Sequence, residues 1–420
     1  MRKRIKAFTN YQLRFNPLFR LKLKQILDQK DWSAERLKEK QNQSFLRLLT
    51  KSVSRSKFYK KYYADHGVDL SQIKSVEDIH LLPIITKDHV RKNTSDIVVG
   101  NTFTKAKGRT SGSAGTPLMV YRDYNSTLIE GAYSWAQRSL FGYQPGMKVI
   151  SLRGNLYRHE MKWYDPYFNC LYLSSFNLKE ENADFYYQQI KQFSPYAILA
   201  YPSSVEILAN FFSAKGHTLN VPYIFTSSEQ VYPHQRAKVE QTFNTTIVDW
   251  YGNAERTIAI EQRENKEYYE LPLYSVNEYK ENCVITTGLI SSSFPLIRYQ
   301  VDDRIIPDTK SSKFRIKEIL GRHDDLLVLP DGTKVGRFGA AFLDIHGLEY
   351  AQIHQKVQES FLINLVVNDM FDKASLTQIQ AGMAKIAGNN ISYEIKYVKE
   401  EDIVRTSAGK YKLVINELDV

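Results

Sequence analysis

A run of small and hydroxylated residues is the first feature of the sequence that could do chemistry. Residues 109–117 read RTSGSAGTP, and seven of these nine positions are glycine, alanine, serine or threonine. Glycine lets the backbone approach a ligand closely, and exposed N–H groups together with hydroxyls can surround phosphate oxygens. The run is not the GxxxxGK[ST] loop of P-loop NTPases, since no Lys follows Gly115. By itself such a run is more often a flexible turn, so its meaning depends on the other motifs.

Four further runs follow in a fixed order, and all of them combine charged residues with glycine. They are DWYGNAE (249–255), TTGLISSSFPLIRYQVDDRI (286–305), LGRHDD (320–325) and RTSAGK (405–410). Each run is a weak signal singly, and five in order over about 300 residues are a strong one.

In these runs the sequence resembles the adenylate-forming (acyl-AMP) ligase superfamily, in its branch of phenylacetate–CoA ligases, coenzyme F390 synthetases and CapK-like proteins. The resemblance extends from about residue 45 to the C terminus and includes LLPIITKD (81–88) and TSSEQVYPHQRAKVEQ (226–241). It implies that a carboxylic acid is joined to the α-phosphate of ATP with loss of pyrophosphate, and that the acyl group then passes to an acceptor. Such chemistry needs charge stabilisation around phosphates, a metal ion and exclusion of water.

The resemblance also implies which residues bind the nucleotide. Tyr251 and Gly252 would lie along the adenine ring. Ser228 and Glu229 would lie on the other side of that ring. Asp303 would accept both ribose hydroxyls. The β- and γ-phosphates would be cradled by residues of the first run: Thr110, Ser111, Gly112, Ser113, Gly115 and Thr116.

Three charged residues are implied to act in catalysis. Glu255 would hold Mg²⁺ between phosphates, or is a surface carboxylate after a turn. Arg322 would contact ribose or phosphate at a hinge, or simply links two domains by its charge. Lys410 would neutralise the charge that develops on the α-phosphate, although a lysine beside a glycine is ordinarily a surface residue. Because Lys410 lies far from the phosphate-binding run, its use implies domain closure.

Three positions depart from the family pattern. Thr116 stands where the family usually has Lys, Ala254 where many relatives have Ser or Thr, and VDD at 301–303 replaces the usual Thr-Gly-Asp. The carboxylate of Asp303 has an alternative role in an ion pair with Arg298 or Arg304. These departures weaken the expectation of fast turnover more than that of nucleotide binding.

The acyl pocket is expected beside the helix after the phosphate-binding run and at a strand end. Ligands bind at the carboxyl ends of parallel strands in such sheets. Arg153 lies in a polar stretch, where it meets a polar substrate or is solvated. Aromatic side chains among the candidates have an alternative role in the core. The candidates are Tyr133, Trp135, Arg138, Tyr201 and Ser203.

Hydrophobic periodicity predicts the elements that must position these residues. Strands alternating with helices predict a mostly parallel sheet with right-handed crossovers. A helix capped by Ser33 is predicted at 33–63, and a short strand at 96–99. The alternating helices are predicted at 123–141, 181–193, 203–215 and 233–243, and the strands at 147–152, 197–201, 223–227 and 246–251.

After residue 320 the pattern changes to a small α+β module. Paired strands are predicted within 358–368, a helix at 375–388 and a strand at 391–398. We therefore predict an α/β protein with a large multi-layered N-terminal domain of mostly parallel sheets and a small C-terminal α+β domain on a hinge. The predicted units are a basic helical segment (1–60), an adenylation core (61–320) and a mobile C-terminal domain (321–420).

Positive charge is concentrated at the N terminus. Residues 1–60 hold 17 of the 57 Lys and Arg and 4 of the 46 Asp and Glu, a net charge of +13, while the rest of the chain has a net charge of −2. Basic residues mixed with aromatic and aliphatic ones suit an anionic membrane surface, at about 1 kcal/mol for each basic side chain. The alternative is a solvated basic face on helices that pack against the body. Nucleic acid is not expected as a partner, since no groove-reading motif accompanies the charge.

Composition bounds the remaining function classes. With 420 residues, 43% hydrophobic and 25% charged, the chain is expected to be globular with a sizeable core. Cys170 and Cys283 cannot build a disulfide framework, which favours a reducing, cytoplasmic setting. No apolar run approaches the ~18 residues of a membrane span, and the basic start lacks the pattern of a secretory signal.

These observations favour an ATP-dependent adenylate-forming ligase that uses Mg²⁺. The acyl group would pass to a sugar amine or hydroxyl in surface (capsular) polysaccharide biosynthesis, with residues 1–30 in peripheral contact with the inner membrane face. One alternative is a soluble aryl-acid–CoA ligase, with coenzyme A as the acceptor. Another is a catalytically weak nucleotide-binding scaffold, favoured by Thr116 and Ala254.

Overall fold

The elements are those of a computed structural model, which describes residues 2–109, 118–154, 156, 159–175, 177–229, 231, 233–281, 283–309, 314–321, 327–330, 334–335, 338–342, 345–388, 391–404 and 413–418. Its helices are α1 (Arg2–Arg14), α2 (Pro17–Leu27), α3 (Ala34–Arg55), α4 (Lys57–Asp65), α5 (Lys87–Lys92), α6 (Thr94–Ile97), α7 (Tyr124–Leu140), α8 (Ala183–Phe193), α9 (Pro202–Ala214), α10 (Pro233–Phe243) and α11 (Lys373–Ala387). Its strands are β1 (Ala106–Arg109), β2 (Met119–Arg122), β3 (Val149–Leu152), β4 (Lys162–Asp165), β5 (Cys170–Leu173), β6 (Ala197–Ala200), β7 (Tyr223–Ser227), β8 (Thr246–Gly252), β9 (Ala259–Gln262), β10 (Tyr268–Glu270), β11 (Ser275–Tyr279), β12 (Val284–Gly288), β13 (Tyr299–Val301), β14 (Arg304–Pro307), β15 (Arg315–Gly321), β16 (Leu327–Val328), β17 (Lys334–Val335), β18 (Leu348–Val357), β19 (Ser360–Val367), β20 (Ser392–Tyr397) and β21 (Val414–Asn416).

The main sheet has ten strands in the order β14-β15-β10-β9-β8-β7-β6-β3-β5-β4. Its centre, β5-β3-β6-β7-β8, is parallel, as the alternation of strands and helices predicted. Both flanks are antiparallel, which the sequence analysis did not predict. One face of the centre packs in a core with α8, α9 and α10, and the other packs beside α7. The predicted fold class is confirmed.

Polar caps decide where the first long helices begin. The Ser33 side chain accepts a hydrogen bond from the backbone N–H of Arg36, so α3 starts as predicted. The prediction of one helix over 33–63 was wrong, because Ser56 is extended (φ −94°, ψ 125°) and caps α4 by accepting from the N–H of Tyr59. The predicted strand at 96–99 was also wrong. Its first residues belong to the short helix α6, and the hydroxyl of Thr94 donates to the carbonyl of Val90.

A second core joins α3, α4 and the three-stranded sheet β11-β12-β13. Arg298 lies in this region with a left-handed φ of 53° and is 8% exposed. Its Nε and Nη2 donate to the two carboxylate oxygens of Glu278 at 2.8 and 2.7 Å, and its Nη1 donates to the carbonyls of His80 and Leu82. One guanidinium therefore ties the 80–82 segment to the sheet that carries Tyr299.

We predict that Arg298→Met lowers the free energy of unfolding by about 3–5 kcal/mol, because it leaves the Glu278 carboxylate, which is only 17% exposed, without its partner. Urea unfolding followed by circular dichroism measures the change. The control is Lys61→Met, which removes an exposed pair with Asp65 and should cost less than about 0.5 kcal/mol. Equal stability of the two variants would show that the Arg298 contacts contribute nothing beyond a surface pair.

The N-terminal helices pack against the body of the protein. Phe19 and Ile26 of α2 are buried in one cluster with Leu128 and Tyr133 of α7. The ring of Phe15, just before α2, meets that of Trp135 edge-on at 5.3 Å. Part of the basic segment is therefore core. Of the helices described, none is long and apolar enough to cross a membrane.

The C-terminal residues form a core of their own. The four-stranded sheet β20-β19-β18-β21 packs against α11, with Ile353, Ile363, Ile379 and Met383 at its centre. The helix at 375–388 and the strand at 391–398 match α11 and β20. Residues 358–368 contain one strand rather than two, and its partner is β18, which was not predicted. The unit boundaries near residues 60 and 320 stay predictions.

Candidate functional site

The carboxyl ends of β7 and β8 bring together two of the segments predicted to bind the nucleotide. The strands are parallel neighbours with Ser227 opposite Trp250, so Ser228 and Tyr251 follow at the same edge of the sheet. Ser228 is exposed and has a left-handed φ of 69°, which turns the chain sharply at the strand end. The Glu229 side chain that follows is half-buried. Ligands bind at this edge of parallel sheets.

Gly252 ends β8 in a close approach between backbone segments. A Cβ atom here would lie 3.2 Å from the indole nitrogen of Trp250 and 3.3 Å from the carbonyl oxygen of Ile258. A larger residue would push the strand end away from these neighbours. Glycine thus keeps the exposed backbone at this edge flat, as a nucleotide ring lying along it would require.

Tyr251 and Asp303 meet although 52 positions separate them. The phenol of Tyr251 donates to Oδ2 of Asp303 at 2.6 Å. The alternative role of Asp303, an ion pair with Arg298 or Arg304, is not what those arginines do. Arg298 is engaged with Glu278, and Arg304 donates to the carbonyl of Glu281. The residue predicted for adenine thus orients the carboxylate predicted for ribose.

The neighbouring carboxylate of Asp302 has a different environment. Its Oδ2 accepts from Nζ of Lys87 at 2.7 Å, a pair in which both side chains are partly exposed. Lys87 belongs to the LLPIITKD run at the start of α5. The pair therefore links that run to the loop that carries Asp303.

Glu255 is held by a buried tyrosine. Its Oε1 accepts from the phenol of Tyr299 at 2.8 Å, and Tyr299 is fully buried on β13. The carboxylate is half-buried, and its Oε2 accepts no hydrogen bond from the described residues. Mg²⁺ is usually bound by one or two carboxylates plus substrate phosphates. The Glu255 carboxylate, with one oxygen held by Tyr299 and the other without a hydrogen bond from the described residues, fits such an ion. Among the described residues there is no group of three or more His, Cys, Asp or Glu side chains that could hold a metal ion.

The loop around Glu255 is fixed by a reciprocal pair of hydrogen bonds. The N–H of Thr257 donates to Oδ1 of Asn253 at 2.9 Å, and Nδ2 of Asn253 donates to the hydroxyl of Thr257 at 2.7 Å. Arg256, between them, has a left-handed φ of 60°. The turn that presents Glu255 is therefore defined by its own side chains.

Arg122 is a site residue that the sequence analysis missed. Its Nη2 donates to the carbonyl of Ala254 at 2.6 Å, and burial is the main reason why its pKa is lowered. A Cβ atom on Gly108 would lie 2.6 Å from the centre of this guanidinium. Arg122 and Gly108 belong to β2 and β1, the hairpin that flanks residues 110–117. Arg122 thus ties the base of the phosphate-binding run to the loop of Glu255, a contact for which the sequence has no motif.

Eight of the predicted site residues lie outside the described part of the chain, so their roles stay predictions: Thr110, Ser111, Gly112, Ser113, Gly115, Thr116, Arg322 and Lys410.

The two ends of the 405–412 segment are fixed to adjacent residues of β18. The Gln352 side chain donates to the carbonyl of Val404 at 2.8 Å and accepts from its N–H at 2.9 Å. The N–H of the next residue, Ile353, donates to the carbonyl of Leu413 at 2.7 Å. Val404 and Leu413, which flank Lys410 in the sequence, are therefore both hydrogen-bonded to one strand of the small sheet.

The predicted substrate contacts occupy different environments. Tyr133 is buried under α2, with its ring 5.3 Å from that of Tyr274, and burial raises its pKa. Trp135 stacks on Tyr143 at 5.0 Å. Tyr201 caps α9 at the end of β6, and Ser203 lies in the first turn of that helix, where its side chain is not described. Their roles as substrate contacts stay predictions.

The fold is shared with solved adenylate-forming ligases. A 2-hydroxyisobutyryl-CoA ligase, solved with 2-HIB-AMP and CoA in the thioesterification state, superposes with a TM-score of 0.58 at 17% identity, over 92% of this chain and 90% of that chain. The same enzyme in its postadenylation state gives a TM-score of 0.57 over the same shares. The chain therefore shares the fold of this ligase.

Sequence comparisons identify relatives of this chain. The chain is 25% identical to protein CapK of Staphylococcus aureus, over 90% of this chain and 89% of that protein. It is 22% identical to the phenylacetate–coenzyme A ligase of Thermus thermophilus, over 70% of this chain and 72% of that enzyme. Residues 327–417 match the family model of the CapK C-terminal domain. The predicted resemblance to the CapK-like and phenylacetate–CoA ligase branch is confirmed, and with it the enzyme class of adenylate-forming ligase.

Proposed function

We propose that this chain activates a carboxylic acid as acyl-AMP, using ATP and Mg²⁺, and transfers the acyl group to an acceptor in surface polysaccharide biosynthesis. The observation that carries the proposal is the Tyr251–Asp303 hydrogen bond at the carboxyl edge of the sheet. It orients a carboxylate beside the end of β8, where the backbone is exposed. Ser228 lies just after β7, and Glu255 lies in the loop after β8.

Each group has one task in this proposal. Asp303 accepts the ribose hydroxyls, and Gly252 with Ser228 borders the adenine. Mg²⁺ held by Glu255 supplies positive charge that screens the phosphate oxygens. Lys410 adds a cation at the α-phosphate, where negative charge develops as pyrophosphate leaves.

For the acceptor we propose a sugar amine or hydroxyl, because the CapK relative is matched along nearly the whole chain. Coenzyme A is the second candidate. The phenylacetate–coenzyme A ligase supports it by its name, and the 2-hydroxyisobutyryl-CoA ligase by the CoA bound to it.

An ATP–pyrophosphate exchange screen across aryl, amino and hydroxy acids tests the proposal. We expect exchange that depends on one class of acid and needs no acceptor. Turnover that requires both CoA and a phenylacetate-like acid would select the CoA ligase instead. ATP binding without exchange for any acid would select the nucleotide-binding scaffold.

We also propose a cytoplasmic location with peripheral contact of residues 1–30 at the inner membrane face. Ile5 and Phe8 lie one turn apart on α1, and Leu18 and Leu21 lie one turn apart on α2. All four are exposed, Ile5 and Leu21 by more than half (55% and 52%). Exposed apolar residues on short basic helices can insert at an anionic lipid surface. Cys170 is a buried free thiol, which suits a reducing compartment.

We predict that Leu18→Glu with Leu21→Glu reduces co-sedimentation of the full chain with anionic vesicles by about tenfold, because two inserted leucines are lost and two negative charges gained. Point substitutions are preferable to deletion of residues 1–30, since Phe19 and Ile26 belong to the core. The matched control is Leu81→Glu, at a leucine that is 50% exposed elsewhere. Equal sedimentation of the wild type, the Leu18→Glu/Leu21→Glu variant and Leu81→Glu would contradict a membrane contact.

A further inference from the structure

Two arginines beside the parallel strands have no carboxylate partner among the described residues. The Arg138 guanidinium of α7 lies over the rings of Trp135 and Phe225, at 5.6 and 5.9 Å from their centres. Arg153, just after β3, lies 6.0 Å from the ring centre of Tyr201. Its Nη2 makes one long hydrogen bond, of 3.4 Å, to the carbonyl of Phe225, and its Nε is buried without a partner among the described residues.

Burial of these two charges is unfavourable in the protein as it stands. Desolvation, together with the smaller effect of the Arg138 charge, lowers the pKa of Arg153 to about 10. Desolvation also lowers the pKa of Arg138. A buried cation is usually compensated by an anion or by a full set of hydrogen bonds. Arg298 has such compensation from Glu278 and two carbonyls, which the Arg138–Arg153 pair lacks.

Arg138 and Arg153 lie near the carboxyl edge of the sheet at which we propose that the nucleotide binds. Phe225, which both guanidinium groups contact, lies two residues before the end of β7. β7 is the immediate neighbour of β8, whose end carries Tyr251 and Gly252. One strand spacing across and two residues along correspond to roughly 8 Å. A short acyl chain has this length.

We propose that Arg138 and Arg153 bind a second anionic group, a carboxylate or a phosphate, on the acid that this chain activates. The proposal rests on the proposed ligase function, because it names the class of acid. A guanidinium offers a planar fork of donors that matches either anion, and the surrounding aromatic rings strengthen the interaction by excluding water. The acid is then negative at both ends, with one end at the nucleotide and the other at the arginine pair.

Calorimetric titration of the full chain without ATP tests the pair independently of catalysis. The probes are glutarate and 3-phosphonopropanoate, which carry a second anion, and pentanoate and monomethyl glutarate, which do not. We expect the dianionic acids to bind roughly 10- to 100-fold more tightly than the monoanionic ones. Arg153→Met and Arg138→Met should each remove most of that preference. The stronger of the two dianions identifies the second group, and equal binding of both supports the shared anion site.

The matched control is Arg263→Met. Arg263 also lies over an aromatic ring, that of Tyr269 at 4.1 Å, but it has Glu261 as an ion-pair partner, so its removal should leave the preference unchanged. Should Arg153→Met not fold, Arg153→Lys keeps the charge, loses the fork and should weaken dianion binding selectively. Wild type without a preference for dianions, or unchanged preference in the folded variants of both arginines, would overturn the proposal. Absence of exchange with every acid would instead refute the ligase function, while the binding preference still decides the role of the pair.

Discussion

Glu255→Gln is expected to reduce acid-dependent ATP–pyrophosphate exchange roughly 100- to 1,000-fold. Glutamine has nearly the same size and can still accept the hydrogen bond of Tyr299, but it has no charge with which to hold Mg²⁺. The rate is measured at saturating ATP and acid over a range of Mg²⁺ concentrations. Because the fold is preserved, the thermal unfolding midpoint should stay close to that of the wild type.

Two control variants separate the metal role from a structural one. Tyr299→Phe keeps the buried ring and removes the hydroxyl that orients Glu255, so we expect a loss of roughly 10-fold that is partly rescued by high Mg²⁺. Glu77→Gln changes an exposed carboxylate paired with Lys38 and should leave the rate unchanged. If Glu255→Gln exchanges like Glu77→Gln, then the carboxylate is a surface group and not a metal ligand.

Lys410→Ala should also lower pyrophosphate exchange, by roughly 100- to 1,000-fold, because the cation at the α-phosphate is lost. The matched control is Lys399→Ala, in the same part of the chain. The Lys399 side chain is 82% exposed and lies beside Glu401, so its removal should change neither rate nor stability. Retained exchange in Lys410→Ala, with retained dependence on the acid, would mean that another residue supplies the charge.

The parallel centre of the sheet was predictable because helices alternate with its strands, α8, α9 and α10 following β5, β6 and β7. The runs at 223–227 and 246–251 coincide with β7 and β8 almost residue for residue. The antiparallel flanks have no such signal, since a strand as short as β10, of three residues, has no recognisable period, and its partner β15 lies far along the chain. The break between α3 and α4 depends on the side-chain hydrogen bond of Ser56 with the N–H of Tyr59, which a hydrophobic period does not register.

The candidate site was likewise only partly predictable from the sequence. Tyr251, Glu255 and Asp303 were predicted because they belong to runs whose order resembles a known superfamily, and their roles stay predictions. The residues that hold these segments in place were not predicted, because each of them bonds to a segment that is distant along the chain. Tyr299 reaches Glu255 across 44 positions, and Arg122 reaches Ala254 across 132. Such contacts follow from the packing of whole strands, which no local pattern encodes.

The attachment of residues 404 and 413 to β18 limits how far Lys410 can travel by itself. Lys410 is three residues before Leu413, so its Cα can lie at most ~11 Å from that of Leu413 even with the chain fully extended. Bending of the segment alone therefore cannot deliver the ammonium group over a long distance. A large displacement of Lys410 would therefore require a displacement of β18 with Val404 and Leu413, which a probe attached to β18 would detect.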